Sequence, residues 1–291
     1  MKQILIVAVI FINLIASDAF ISSKQLKKSI SNKNLIILDV ADLSTYKKGH
    51  IKGAIHIDMH NFIDDESLYH LKNKPQIIQS ELQKIGINQN SKVVIYAHNT
   101  DRGILNSSYL AFILIYSGFE NLSILDGGYM SWVFENELLT STLSEYAQSD
   151  GNFIVKENKK IVTSLNYIKD NITSTTILDA RDPSYYYGIK RSKNIDLVGH
   201  IPHSKNSHYK DKFLRDSTLR EQNELDEIYI YGHELKAYDE VIIYSNNIFS
   251  ASMEWYILYK QMGFENAKLY EASLLEWGNR SNMSITRFKW E

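Results

Sequence analysis

The sequence repeats itself, and that constrains its fold more than any other feature. The strand-like run Leu35-Ile36-Ile37-Leu38-Asp39-Val40 returns as Thr176-Ile177-Leu178-Asp179-Ala180, with Asp39 and Asp179 140 residues apart. Gly49-His50-Ile51 returns as Gly199-His200-Ile201 at an offset of 150, and Val93-Val94-Ile95-Tyr96 as Val241-Ile242-Ile243-Tyr244 at 148. Gly118-Phe119-Glu120-Asn121 and Gly263-Phe264-Glu265-Asn266 are offset by 145, as are Trp132 and Trp277. Landmarks in one order with slowly drifting offsets mean tandem homologous units whose insertions lie in loops.

Within each unit the Val/Ile/Leu runs suit strands buried on both faces, the kind found in parallel sheets. Between them lie helix-like segments such as Ser107–Tyr116 and Ser250–Met262, each ending near a glycine. Strand–helix–strand order implies right-handed crossovers, and so two α/β domains, each a small parallel sheet flanked by helices on both faces. The polar stretch from Thr140 to Lys160 is the expected linker, placing one domain at residues 20–145, the other at 155–291 and the boundary near 150.

Ahead of the first unit, Lys2 precedes an apolar run from Ile4 to Ala16 broken only by Asn13, and the small residues Ser17 and Ala19 precede Phe20. This is the pattern of a signal peptide over residues 1–19, implying an exported, periplasmic or secreted protein with no membrane attachment after cleavage. With 44% apolar and 23% charged residues the chain can bury a core, which excludes an extended disordered protein. Lys plus Arg total 32 against 34 Asp plus Glu, so nothing electrostatic calls for a nucleic-acid partner. The cysteine count is zero. Disulfides, thiolate metal sites and every cysteine-nucleophile mechanism are therefore excluded.

The repeated segments resemble the tandem-domain rhodanese, or thiosulfate sulfurtransferase, family from about Ile21 to Gly278. In the first repeat the similarity is carried by Leu38 to Ile57, VVIY (Val93 to Tyr96) and LDGGYMSW (Leu125 to Trp132); in the second by LDARDPSYYYG (Leu178 to Gly188), GHIPHS (Gly199 to Ser204) and YEASLLEWG (Tyr270 to Gly278). The resemblance implies an inert first domain and a second domain whose reactive loop follows the strand ending at Tyr244. That loop is Ser245-Asn246-Asn247-Ile248-Phe249-Ser250, and Ser245 stands where active relatives carry the nucleophilic cysteine. Ala97 holds the corresponding place in the first repeat, ahead of a longer loop, His98 to Gly103, whose His98 and Arg102 are placed to touch a ligand but whose turn-forming residues favour a solvated surface loop.

Serine changes the chemistry. Sulfur transfer of this kind needs a thiolate, and a helix terminus plus nearby cations can raise the thiolate fraction of a group whose pKa starts near 8.5. A helix dipole contributes about 0.3–1 kcal/mol, under one pKa unit, far too little to make an alkoxide of Ser245. Consecutive backbone N–H groups at a helix start can still hold an oxyanion, with Arg181, the one cation the resemblance brings to the pocket, opposite. The competing role for Arg181 is an ion pair with Asp179 or Asp182. A Ser-His-Asp hydrolase lacks the G-x-S-x-G elbow, and the spacing of His200, His203 and His208 with His56 and His60 matches no metal site; neither metal nor cofactor is expected. His50 and His200, at one repeat position, suit a structural task. The sequence thus favours a family member impaired in sulfur transfer that binds a small anionic or sulfur-containing ligand, or a protein partner, through Arg181, Asn246, Asn247, Ile248, Phe249 and Ser250. The alternative is a working thiosulfate sulfurtransferase.

Overall fold

The computed structural model describes residues 18–64, 72–98, 100–136, 139–140 and 150–291. The expected leader up to Ser17, Asn99, and linker residues 141–149 fall outside it. Each repeat forms one five-stranded, all-parallel sheet. In the first, β1 (Phe20–Ile21), β2 (Leu35–Asp39), β3 (Ile55–His56), β4 (Lys92–Tyr96) and β5 (Leu122–Leu125) lie in the order β1-β5-β4-β2-β3. In the second, β6 (Val162–Thr163), β7 (Thr176–Asp179), β8 (Ser204–Asn206), β9 (Val241–Tyr244) and β10 (Ala267–Tyr270) lie in the order β6-β10-β9-β7-β8. The two orders are the same order. Register agrees as well: Asp39 pairs with His56, and Asp179 with Asn206. The central strands β4 and β9 are almost wholly buried, as their unbroken apolar runs require.

The helix after each central strand joins the repeats. Helix α1 (Asp101–Tyr116) is capped by Thr100, whose hydroxyl accepts from Gly103 N at 3.0 Å; a Cβ on Gly103 would come within 2.6 Å of the His98 carbonyl oxygen. Helix α2 (Ile248–Tyr256) is capped by Asn247 and runs on as a π-helical turn, Ile257–Gln261. Both begin earlier than the apolar pattern suggests, because the cap residues precede the first apolar turn. They cross with Phe112 edge-on to Trp255 at 5.3 Å, Tyr109 edge-on to Phe249 at 5.2 Å, and the Ser108 and Ser252 hydroxyls 2.9 Å apart. One apolar core therefore runs through both repeats.

The described part of the expected linker is a strap on the first domain. Gly151 N donates to Gln83 O, Phe153 N to Ile87 O and Lys156 N to Ser117 O, at 2.7, 3.1 and 2.9 Å. Phe153 is 1% exposed. Asp18 and Ala19, read from sequence as the end of the leader, also lie in the fold: the Ala19 carbonyl accepts from Ile124 N at 2.9 Å and from the Tyr256 hydroxyl at 2.6 Å.

Two reciprocal contacts lock the repeats. The Asp126 carboxylate, just past β5, accepts from Leu219 N of the second repeat at 2.8 Å. Its counterpart Glu271, just past β10, accepts from Lys72 N of the first repeat at 3.1 Å and pairs with the Lys72 ammonium. Among the described residues, only the second of these clasps shows a cation. Desolvation accordingly raises the Asp126 carboxyl to about 6, with Asp216 and Glu221 adding repulsion against the hydrogen bonds from Leu219 and Gly127. A folded pKa above the unfolded value means that the native state holds the proton longer, so this group's stabilising share declines as pH rises from about 4 to about 6. Asp126→Asn keeps the acceptor without the charge. In urea melts the variant should gain about 1–3 kcal/mol over the wild type at pH 7 and little or nothing at pH 4.

Candidate functional site

The second-repeat loop leaves the sheet at Tyr244 and enters α2 within a few residues. Ser245 is 1% exposed. Its hydroxyl donates to the Asn247 carbonyl, so the group facing the hydroxyl is an acceptor rather than the N–H donors an anion requires. Ser245 N is taken by the Ser273 hydroxyl at 3.2 Å, and Phe249 N by the Asn247 side-chain oxygen at 3.3 Å. The Ser245 and Asn246 carbonyls accept from Leu274 N and Leu275 N, both at 3.0 Å. Ile248 and Phe249 are buried in the core between the repeats, so Asn246, Asn247 and Ser250 are the loop side chains that reach solvent.

Arg181 is near the loop but committed elsewhere. Its Nε donates to the Asp179 carboxylate oxygens at 2.9 and 3.0 Å, and Nη2 donates to Asp179 at 2.5 Å and to the Gly199 carbonyl at 2.7 Å. Nη1 reaches the Asn246 side-chain oxygen at 3.3 Å, bringing Arg181 and the loop together. Burial works against the Arg181 charge, but the Asp179 carboxylate outweighs it and holds the guanidinium above its usual range. Of the two roles open to Arg181, the ion pair with Asp179 is the one observed. The Tyr244 hydroxyl completes the cluster, donating to Asp179 at 2.8 Å, and burial beside that carboxylate drives its own pKa well up.

Behind the loop, α2 is anchored by buried Glu254, which accepts from the Ser207 hydroxyl at 2.6 Å and the Tyr229 hydroxyl at 2.9 Å, with the Lys212 ammonium 3.2 Å away. Sequence patterning does not show this network, because its members lie on separate elements. Ser273 was legible in principle. It aligns with Gly128 of the LDGGYMSW segment, and both take left-handed backbone, φ 51° and 57°, which costs a serine about 1 kcal/mol more than a glycine.

The first repeat surrounds its strand-end carboxylate differently, and among the described residues Asp39 Oδ2 accepts no hydrogen bond. Asp39 accepts from Ala41 N at 2.9 Å and lies 3.4 Å from His98 Nε2, whose ring stacks on Tyr129 at 3.9 Å. His98 is therefore a packed residue. Arg102 is exposed and lies 4.1 Å over the Phe249 ring. His50 and His200 do equivalent work: each stacks on a tyrosine, Tyr46 at 3.6 Å and Tyr186 at 3.7 Å, and each sets Nδ1 2.8 Å from that tyrosine's carbonyl oxygen.

Comparison with known proteins places this geometry. The rhodanese-like domain family matches residues 22–135 and again 164–280. The chain is 25% identical over 286 residues to a thiosulfate sulfurtransferase of Corynebacterium glutamicum, covering 92% of this chain and 87% of that protein. It is 26% identical over 247 residues to the 3-mercaptopyruvate sulfurtransferase of Escherichia coli, covering 84% and 85%. Among solved structures, the anaerobic ergothioneine biosynthesis enzyme from Chlorobium limicola superposes with a TM-score of 0.79 at 20% identity, over 92% of this chain and 70% of that one. That last likeness is one of fold.

Removing the guanidinium would strand a buried carboxylate. Arg181→Ala should cost about 3–5 kcal/mol in urea denaturation, whereas Ser245→Ala, which gives up one hydrogen bond, should cost about 1 kcal/mol.

Proposed function

The chain belongs to the rhodanese-like domain family as a tandem member, and from that premise we propose that it is a sulfurtransferase relative silent in sulfur transfer. It works by binding a small anionic or sulfur-containing ligand, or a protein partner, in the cleft between its repeats. The observation that carries this reading is the state of position 245: a serine, 1% exposed, with its hydroxyl donating to the carbonyl of its own loop.

Sulfane-sulfur transfer forms a bond from a thiolate to the outer sulfur of the donor, expels sulfite when the donor is thiosulfate, and then passes that sulfur to an acceptor nucleophile. The first bond needs a soft, ionised attacker. A serine hydroxyl beside a carbonyl oxygen is neither soft nor ionised, and the chain contains no cysteine to substitute for it. The Arg181 guanidinium beside the loop is already paired with the Asp179 carboxylate. The apolar run Ile4–Ala16 supports export as the setting in which this protein meets its ligand. Among the described residues no helix is long and apolar enough to cross a membrane.

Wild-type protein mixed with thiosulfate and cyanide should form thiocyanate no faster than the uncatalysed mixture; turnover well above that background would establish the active-enzyme alternative. Ser245→Cys should stay silent too. A thiol placed there is buried against a carbonyl, which raises its pKa, so it should react slowly with a disulfide reagent in buffer and fully in urea.

A further inference from the structure

The two clasps between the repeats are built alike and finished differently. Lys72 faces Ile63 across an antiparallel bridge, and Leu219 faces Phe213 across another. Ile63 and Phe213 are 150 residues apart, the offset that also separates Gly49 from Gly199, so the two bridges are counterparts. Each gives one backbone N–H to a carboxylate of the opposite repeat, Lys72 N to Glu271 at 3.1 Å and Leu219 N to Asp126 at 2.8 Å. Glu271 also holds the Lys72 ammonium, which lies 4.8 Å over the Tyr116 ring. The matching leucine brings no cation to Asp126, which has no ion-pair partner among the described residues.

Asp126 lines a cavity of about 20 Å³ at the seam, where Ala97, the first-repeat residue matching Ser245, meets Phe213 and Met253 of the second repeat. Among the described residues Asp126 is the one charged group in that lining, and Phe20 and Ile104 add to its apolar wall. Such a volume admits one water-sized group. A wider space of about 180 Å³ adjoins it across Ile104, Phe213 and Ser217, with Tyr209 and Leu214 on its walls. The two charged residues lining that space, Asp101 and Lys210, pair with each other at 2.8 Å. Asp126 therefore carries the uncompensated charge of the groove. Burial bears against its carboxylate, as does repulsion from Asp216 and Glu221, a cost that a cation offsets and an anion increases.

We propose that this seam groove binds a primary alkylammonium ion, its ammonium on the Asp126 carboxylate as the Lys72 ammonium is on Glu271, and its hydrocarbon tail against Phe213 and Leu214. This is a second site, apart from the Ser245 loop and independent of its chemistry: thiosulfate turnover by the wild type would refute the silent-site reading and leave the amine site as it stands. n-Pentylammonium, methylammonium and 1-pentanol are the probes, titrated into the full chain at pH 7 and constant ionic strength by calorimetry and followed by backbone NMR. n-Pentylammonium should saturate, binding at least about tenfold tighter than methylammonium, which lacks four methylenes. Asp126→Asn, which keeps the acceptor for Leu219 N, should weaken n-pentylammonium about tenfold and leave 1-pentanol unchanged. Leu214→Ala, a change at an exposed side chain, should narrow the preference for the longer amine. No saturable n-pentylammonium binding to the wild type, 1-pentanol binding as tightly as the amine, unaltered amine affinity in folded Asp126→Asn, or an undiminished chain-length preference in Leu214→Ala would each overturn the assignment.

Discussion

A carboxylate buried at the carboxyl end of the second strand in each repeat, Asp39 or Asp179, sets the terms for everything around it. Both are 0% exposed, where an unpaired charge is too costly to keep. The second repeat neutralises Asp179 with Arg181 two residues on, and the guanidinium then links the strand end to the Gly199 carbonyl and to Asn246. The first repeat brings His98 to Asp39 from the following loop and keeps the two-residues-on position small, as Ala41. The two repeats thus give one duplicated carboxylate two different surroundings.

The Ser245 loop follows the same logic. In a loop suited to an anionic nucleophile, N–H groups converge on the reacting atom. Here the Ser245 amide goes to Ser273, the Phe249 amide goes to the Asn247 cap, and the Asn247 carbonyl receives the hydroxyl. Those contacts suit a neutral side chain and penalise an anion. The loop is also built into the interface, since Ile248 and Phe249 belong to the core shared by the repeats and α2 is held from behind by Glu254. Opening it would disturb packing between the repeats as well as local hydrogen bonds.

Much of this architecture is legible in the sequence because duplication displays it twice. The offsets of Asp39 and Asp179, of His50 and His200, and of the central strands anticipate two sheets of one strand order, and the stacked histidines have the structural task their repetition suggests. Helix starts are less legible, since Thr100 and Asn247 act as caps ahead of the apolar pattern. The segment after Asp150 looks like a linker by composition, yet its backbone is strapped to Gln83, Ile87 and Ser117. Least legible are contacts between residues far apart in the chain: the Lys72–Glu271 and Asp126–Leu219 clasps, and the Phe249 ring beneath Arg102. At Arg181 the residue types allowed an ion pair or a ligand contact, and the structure shows the ion pair with Asp179.

The most direct measurement is the intact mass of the purified protein after incubation with excess thiosulfate and removal of small molecules. A filled loop with a hydroxyl at position 245 predicts an unchanged mass. A gain of one sulfur atom that is lost on adding cyanide, and absent in Ser245→Ala, would contradict it.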